Sequence, residues 1–327
     1  ADEGQALLLQ NEAWIEHEGS LTERAEYRLA RSSIFAYGDR LPEAIAEARQ
    51  AQQAFTAAKD WPNALPAMSN LGVMHYWRGE YPEAQAVLSE ARALRERLYG
   101  GSGSGIKIDI HLGAVLYELG QADDAAAMLQ GALVEMHTWP DNEYRRTECL
   151  LADNHLAQMW IALGQADAAA QVLAHDATGV ADRFYGRRLT LRLRWQRVFA
   201  PAALHSAANL ALRAELQAVA DRVASPFNNA LMRLELARHA SPAEAIATGL
   251  ALHDSPVAVQ RPGLQLHAAT LVAQAALRAG DLATACQWAD AARALEARCA
   301  PFDMPAQEVA TMLAAVGAGH RSASAAD

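Results

Sequence analysis

The sequence predicts an all-α protein built as a stack of helical hairpins. Three observations predict it. A pattern of fixed internal spacing returns four times, the chain is Ala-rich with only 6% aromatic residues, and no stretch alternates convincingly with period two. The first strong copy reads Leu71-Gly72, Gly79-Glu80-Tyr81, Ala84, Leu88, Ala91. It is echoed by Leu112-Gly113, Gly120-Gln121-Ala122, Ala125, Leu129, Ala132, and then by Leu156-Ala157, Gly164-Gln165-Ala166, Ala169, Leu173. The last copy is Val272-Ala273, Gly280-Asp281-Leu282, Ala285, Ala289, Ala292. In each, the first apolar residue precedes the turn Gly by eight residues, and that Gly precedes an Ala by five.

Each copy is expected to be a helix, a Gly-centred turn and a second helix. Gly79, Gly120, Gly164 and Gly280 fall where the first helix ends, because a left-handed cap costs Gly no Cβ clash. Gly72, Gly113, Ala157 and Ala273 on the first helix, with Ala84, Ala125, Ala169 and Ala285 on the second, fall where the paired helices approach closely. Tyr81, Leu88, Leu129 and Leu173 fill the space beside them.

The strong repeats cover 63–98, 106–135, 147–176 and 264–297. A weaker copy at 22–58 holds Gly38 and Leu41-Pro42-Glu43-Ala44, with one residue inserted in its turn. Another at 225–253 holds Ala240-Ser241-Pro242-Ala243-Glu244-Ala245 and has lost its Gly. Starts near 71, 112, 156, 232 and 272 are spaced 41, 44, 76 and 40, and the 76 implies one more degenerate unit over 180–223. Residues 1–316 thus read as one array of about seven hairpins, with a terminal helix near Pro305–Val316 and a small, polar, disordered tail over 317–327. The start without Met, already helix-like, reads as an excised fragment.

The order Leu-Gly, Gly-x-Tyr-x-x-Ala, Ala resembles the tetratricopeptide (TPR) repeat over about 22–300. That resemblance implies a right-handed α-α superhelix whose first helices line a concave groove, and a role in recognition. The repeat spacing exceeds the usual 34 residues. In length and style it resembles the TPR-like arms of large bacterial transcriptional regulators of the maltose-regulator and antibiotic-regulator types. The resemblance implies a sensor or protein-interaction arm that binds a protein or peptide partner or a small-molecule inducer in its groove.

Composition excludes several other classes. A formal charge of −10 argues against direct nucleic-acid binding, which needs a basic footprint. The absence of an 18-residue apolar run argues against a membrane span, and no signal peptide opens the chain. Cys149, Cys286 and Cys299 are far apart, which reads as reduced cysteines of a cytoplasmic protein. Gly100–Lys107 (GGSGSGIK) is no phosphate loop, because Ile106 separates Gly from Lys and no Ser or Thr follows; it reads as a flexible linker, natural or engineered. His137, Glu143, Cys149, Asp153 and His155 include metal-ligand types without ligand spacing, and no nucleophile elbow exists. The expectation is a non-enzyme without metal or cofactor, the alternatives being a pure peptide scaffold or a helical-hairpin enzyme.

Two constellations stand out as candidate sites. The residue before each Leu-Gly position is polar in three copies (Asn70, His111, His155), and Tyr76, Trp77, Tyr117, Asn154 and Gln158 lie nearby on the same helices. These form either a groove strip of amides, imidazoles and aromatics, or hydrogen bonds between neighbouring hairpins. They do not reproduce the Lys/Asn/Arg clamp of chaperone-binding TPR domains. The second is an Arg run in which Arg187, Arg188, Arg192 and Arg194 make two helical stripes. They could take an acidic peptide or anion, or pair with acids such as Glu143, Glu148 or Asp182. Trp139 and Tyr144, flanking the helix-breaking Pro140, could contact a partner or pack on the adjacent hairpin.

Overall fold

The computed structural model describes residues 2–100, 105–296 and 314–315. The middle of the Gly-Ser linker, Cys299, most of the expected terminal helix and the tail 317–327 lie outside the described residues. Among those described, every regular element is helical. The chain divides into two compact units, Ala1–Trp139 and Pro140–Asp327. The sequence reads as one array, and the division falls at the Pro140 interruption.

The first unit holds α1 (Asp2–Glu18) and three antiparallel hairpins: α2–α3 (Leu21–Tyr37, Leu41–Ala57), α4–α5 (Trp61–Arg78, Tyr81–Tyr99) and α6–α7 (Ile106–Glu118, Ala122–His137). The second holds α8–α9 (Glu143–Ala162, Ala166–Leu173), α10–α11 (Asp182–Phe199, Ala207–Ala220), α12–α13 (Pro226–Ala237, Pro242–His253), the short α14 (Pro256–Val259) and α15–α16 (Pro262–Ala279, Leu282–Glu296). In each unit the first helices of successive hairpins also touch: α2, α4 and α6 in one; α8, α10, α12 and α15 in the other.

The turns repeat because the backbone problem repeats. Gly79, Gly120, Gly164 and Gly280 sit at φ between +74° and +81°. The next amide donates to a carbonyl five residues back, as in Glu80 to His75 and Gln121 to Leu116, which closes the end of the helix. In the first hairpin the left-handed residue is Asp39 (φ +57°), not Gly38, and Arg40 donates to Phe35. Counted from Asp39, Ala44 stands five residues on, so the turn is regular and the apparent insertion is a displaced glycine. Asp tolerates this region better than most residues.

Small-against-large pairs set how closely the two helices of a hairpin approach. A Cβ on Gly72 would stand 2.5 Å from Leu88 Cγ, and one on Gly113 would stand 2.9 Å from Leu129 Cγ. Leu88 and Leu129 are fully buried there. The interior is otherwise filled by Ala and Leu, as in the α15–α16 cluster of Ala269, Ala273, Ala276, Ala285, Ala289 and Ala292. Buried arginines tie helices of different hairpins together. Arg95, only 2% exposed, pairs with Asp109 of α6 and, at 3.3 Å, with Glu135 of α7. Arg31, half-buried, joins Glu12 of α1 to Glu47 of α3.

Candidate functional site

In the first unit, α4 carries Asn70, Tyr76 and Trp77 to different places. Asn70 is half-buried and donates to Ser33 Oγ of α2 at 3.5 Å. Trp77, seven residues on and so on the same stripe, is half-buried against the cluster of Leu41, Ala44 and Met74. Pro66, Ser69 and Val73 share this stripe, each half-buried or exposed. Tyr76 does not join it. It is buried, and its ring lies 6.0 Å from that of Tyr81, at the start of α5. The cause is register: Tyr76 follows Gly72 by one turn, and Gly72 faces α5. Tyr117 follows Gly113 by the same interval and is half-buried. His111 is half-buried on α6, one turn beyond the exposed Lys107.

Three of the remaining candidates lie in the second unit on α8. His155 is half-buried. Asn154 and Gln158 are buried and consumed by the neighbouring first helix: Asn154 Nδ2 donates to the Phe184 carbonyl (3.2 Å) and its Oδ1 accepts from Arg188 Nε (2.9 Å), while Gln158 Oε1 accepts from Arg187. They cement α8 to α10 instead of lining a groove.

The arginines of α10 likewise part company. Arg188, 1% exposed, bonds to Asn154, to the Val172 carbonyl (2.5 Å) and to Asp153 (3.4 Å). Asp153 also meets His175 at 3.0 Å. Burial pushes the Asp153 carboxyl above its ordinary value, against the pull of His175 and Arg188, and the same burial lowers Arg188. Arg194 is buried on the side facing α12, and Arg192 is exposed. The continuous cationic stripe expected from the sequence is therefore broken, because α10 is packed between α8 and α12 and buries arginines toward both.

Toward α12 the arginines converge on a residue that spacing did not nominate. Glu235 is 2% exposed; Arg197 Nε lies 3.3 Å from its Oε1, Arg238 Nε 3.7 Å from Oε2 and His239 Nε2 3.7 Å from Oε1. Burial opposes its ionisation, but Arg197, His239, Arg238 and Arg194 outweigh it and hold the carboxyl far below the usual carboxylate range. Arg238 also donates to Gln274 of α15 (2.9 Å), so the network spans α10, α12 and α15. The signal lay in the composition of α10, whose six arginines share a single acid, Asp182, and so require others from a neighbour.

Among the described residues no group of three or more His, Cys, Asp or Glu could hold a metal ion, and no helix is long and apolar enough to cross a membrane. Cys149 and Cys286 are free thiols, and burial raises the Cys149 thiol.

No curated protein matches the chain. Solved structures similar to it include a tetratricopeptide repeat protein from Parabacteroides merdae (14% identity, 90% of this chain and 99% of that one, TM-score 0.42). Others are the TPR2AB domain of yeast Sti1 in complex with a pHSP90 (18%, 90% and 98%, 0.31) and BtubC (BKLC) from P. vanneervenii (17%, 84% and 91%, 0.34). Residues 63–133 match the tetratricopeptide repeat family model. The match spans α4 to α7, the two hairpins in which Gly72 meets Leu88 and Gly113 meets Leu129. The described residues form an all-α fold of stacked helical hairpins, and residues 63–133 match the tetratricopeptide repeat.

Proposed function

We propose that this chain is a non-catalytic protein-interaction scaffold, and that its first unit takes an extended segment of a partner across α4 and α6. The observation that carries the proposal is the α4 stripe of Pro66, Ser69, Asn70, Val73 and Trp77. It runs along a first helix half-buried or exposed, with Trp77 packed by one side on the cluster of Leu41, Ala44 and Met74. His111 and Lys107 of α6 offer an imidazole and an ammonium for side chains or carbonyls of the same segment. An aromatic beside a few polar groups on a rigid frame suits peptide recognition. The ion pairs of Arg95, which bind α5 to α6 and α7, support that frame. The finer reading, a sensor arm that takes an inducer within a larger bacterial regulator, would need a ligand enclosed by polar groups.

Two screens of the full chain test this. Random displayed peptides are selected against the protein, and metabolites and nucleotides are screened by thermal shift, which reports binding to the folded form by mass action. A selected peptide that binds at least tenfold more weakly to Trp77→Ala or His111→Ala, with Arg192→Ala unaffected, supports the scaffold. A metabolite that raises the melting temperature, with no peptide selected, would replace the scaffold with the sensor.

A further inference from the structure

We propose that the second unit carries a separate interaction surface: the cleft between α11 and α13, which takes an acidic amphipathic helix from a partner protein. The cleft is open, about 570 Å³ in volume, and floored by the last turns of α12. It does not use the α4 and α6 residues of the scaffold reading.

Its shape suits a helix. Leu210, Arg213, Ala214 and Gln217 line it from α11 at positions i, i+3, i+4 and i+7, a continuous face about 10 Å long. Glu244 and Thr248 line the opposite wall one turn apart. The floor is apolar, formed by Leu236, Ala237 and Ala240. Leu210 is 53% exposed, a large apolar side chain available to cover. A helix laid in this trough would place its apolar stripe on Leu210, Ala214 and Leu236, with its polar flank against the guanidinium groups.

Its charge selects an acidic occupant. Arg213 and Arg233 line the cleft against one carboxylate, Glu244, in a chain whose net charge is −10, while His239 on the same wall is held at Glu235. Glu244 is already committed: it accepts from the Ser241 amide (3.1 Å) and hydroxyl (2.6 Å) in a capping box at the start of α13. Arg233 donates to Asn229 (2.7 Å) and lies 3.8 Å from Asp221, an exposed pair of little worth. Arg213 is half-buried, and it lines the cleft from the middle of α11. A carboxylate pairs with the cleft-facing Nη groups of such an arginine through charge-assisted hydrogen bonds. The excess of cations at the mouth would also repel basic segments.

The test is a selection of displayed twelve-residue helices with Leu fixed at i, i+3, i+4 and i+7 and the remaining positions randomised, against the full chain. The expected result is enrichment of Glu and Asp on one flank of the Leu stripe. Binding should fall at least tenfold in Arg213→Gln, partly recover in Arg213→Lys, and be blocked in Thr248→Trp, where the indole fills the trough. Circular dichroism and melting check that each variant is folded. Trp77→Ala must leave this binding unchanged, so failure here and failure of the first-unit reading are told apart. Selection of basic helices, or of acidic ones that bind Arg213→Gln and Thr248→Trp as well as the parent, would overturn the proposal. Sedimentation that reveals a dimer abolished by Thr248→Trp would also overturn it, by giving the cleft to a second copy of the chain.

Discussion

Replacing Gly72 by Ala tests the claim that hairpin geometry is set by small-against-large pairing. An added methyl would stand 2.5 Å from Leu88 Cγ and 2.7 Å from Cδ2. The first atom is the branch point of a fully buried side chain and cannot swing aside as a flexible tip would. Overpacking of this kind costs about 1–3 kcal/mol. Ala returns about 1 kcal/mol through its better helix propensity. The net range is about 0–2 kcal/mol, and the clash with a branch point that cannot swing aside puts the expected loss at its upper end, about 2 kcal/mol. The sign should reverse when Leu88 is shortened: Leu88→Ala alone costs about 2–5 kcal/mol. Adding Gly72→Ala to it should then stabilise by about 1 kcal/mol, because the methyl enters vacated space and the propensity gain is no longer opposed. Native-state hydrogen exchange on α4 and α5 amides gives the free energies without requiring the two units to unfold together. A Gly72→Ala chain as stable as the parent, or a double variant no better than Leu88→Ala, would refute the reasoning.

Three further outcomes follow from particular residues. Glu235→Gln should cost about 3–5 kcal/mol at pH 7 by leaving buried arginines uncompensated. Because its folded value is depressed, the carboxylate's contribution is full above the unfolded value, about 4.3. It declines as pH falls below that, so urea midpoints of parent and variant should converge in acid; a constant gap would argue against ionisation as the cause. Gly120→Ala meets no atom within 4 Å but holds φ at +81°, so a loss of about 1–2 kcal/mol from backbone strain alone is expected in thermal melts. Burial raises the Cys149 thiol, so iodoacetamide at pH 8 should alkylate it more slowly in the native protein than in urea, as read by peptide mass.

The fold could be read from the sequence because its constraints are local. A left-handed cap wants Gly, and two close helices want small residues; both demands leave letters at fixed intervals. The displaced turn at Asp39 escaped because a second residue type can meet the same backbone demand. The sites were harder, since the fate of a polar side chain depends on neighbours distant in sequence. Asn154 and Gln158 satisfy the strip pattern, yet they are buried by α10, thirty or so residues away. The Arg188 pairing with Asp153 and the Glu235 cluster require knowing that α10 is sandwiched, which no spacing within α10 states. Tyr76 was readable after all: a residue one turn from Gly72 must face the same partner helix.

The pairing of small and large residues has a consequence for assembly. Four hairpins share three combinations at this contact: Gly72 with Leu88 and Gly113 with Leu129, then Ala157 with Leu173, then Ala273 with Ala289. Helices of similar pattern compete for one another while a repeat chain folds. Were α4 to close on α16, Gly72 would face Ala289 and leave a void; were α15 to close on α5, Ala273 would collide with Leu88. The volumes at this one contact thus favour the native partner over the exchanged one for the last hairpin against the first two, while α4–α5 and α6–α7, which share a Gly–Leu pair, are not told apart by it.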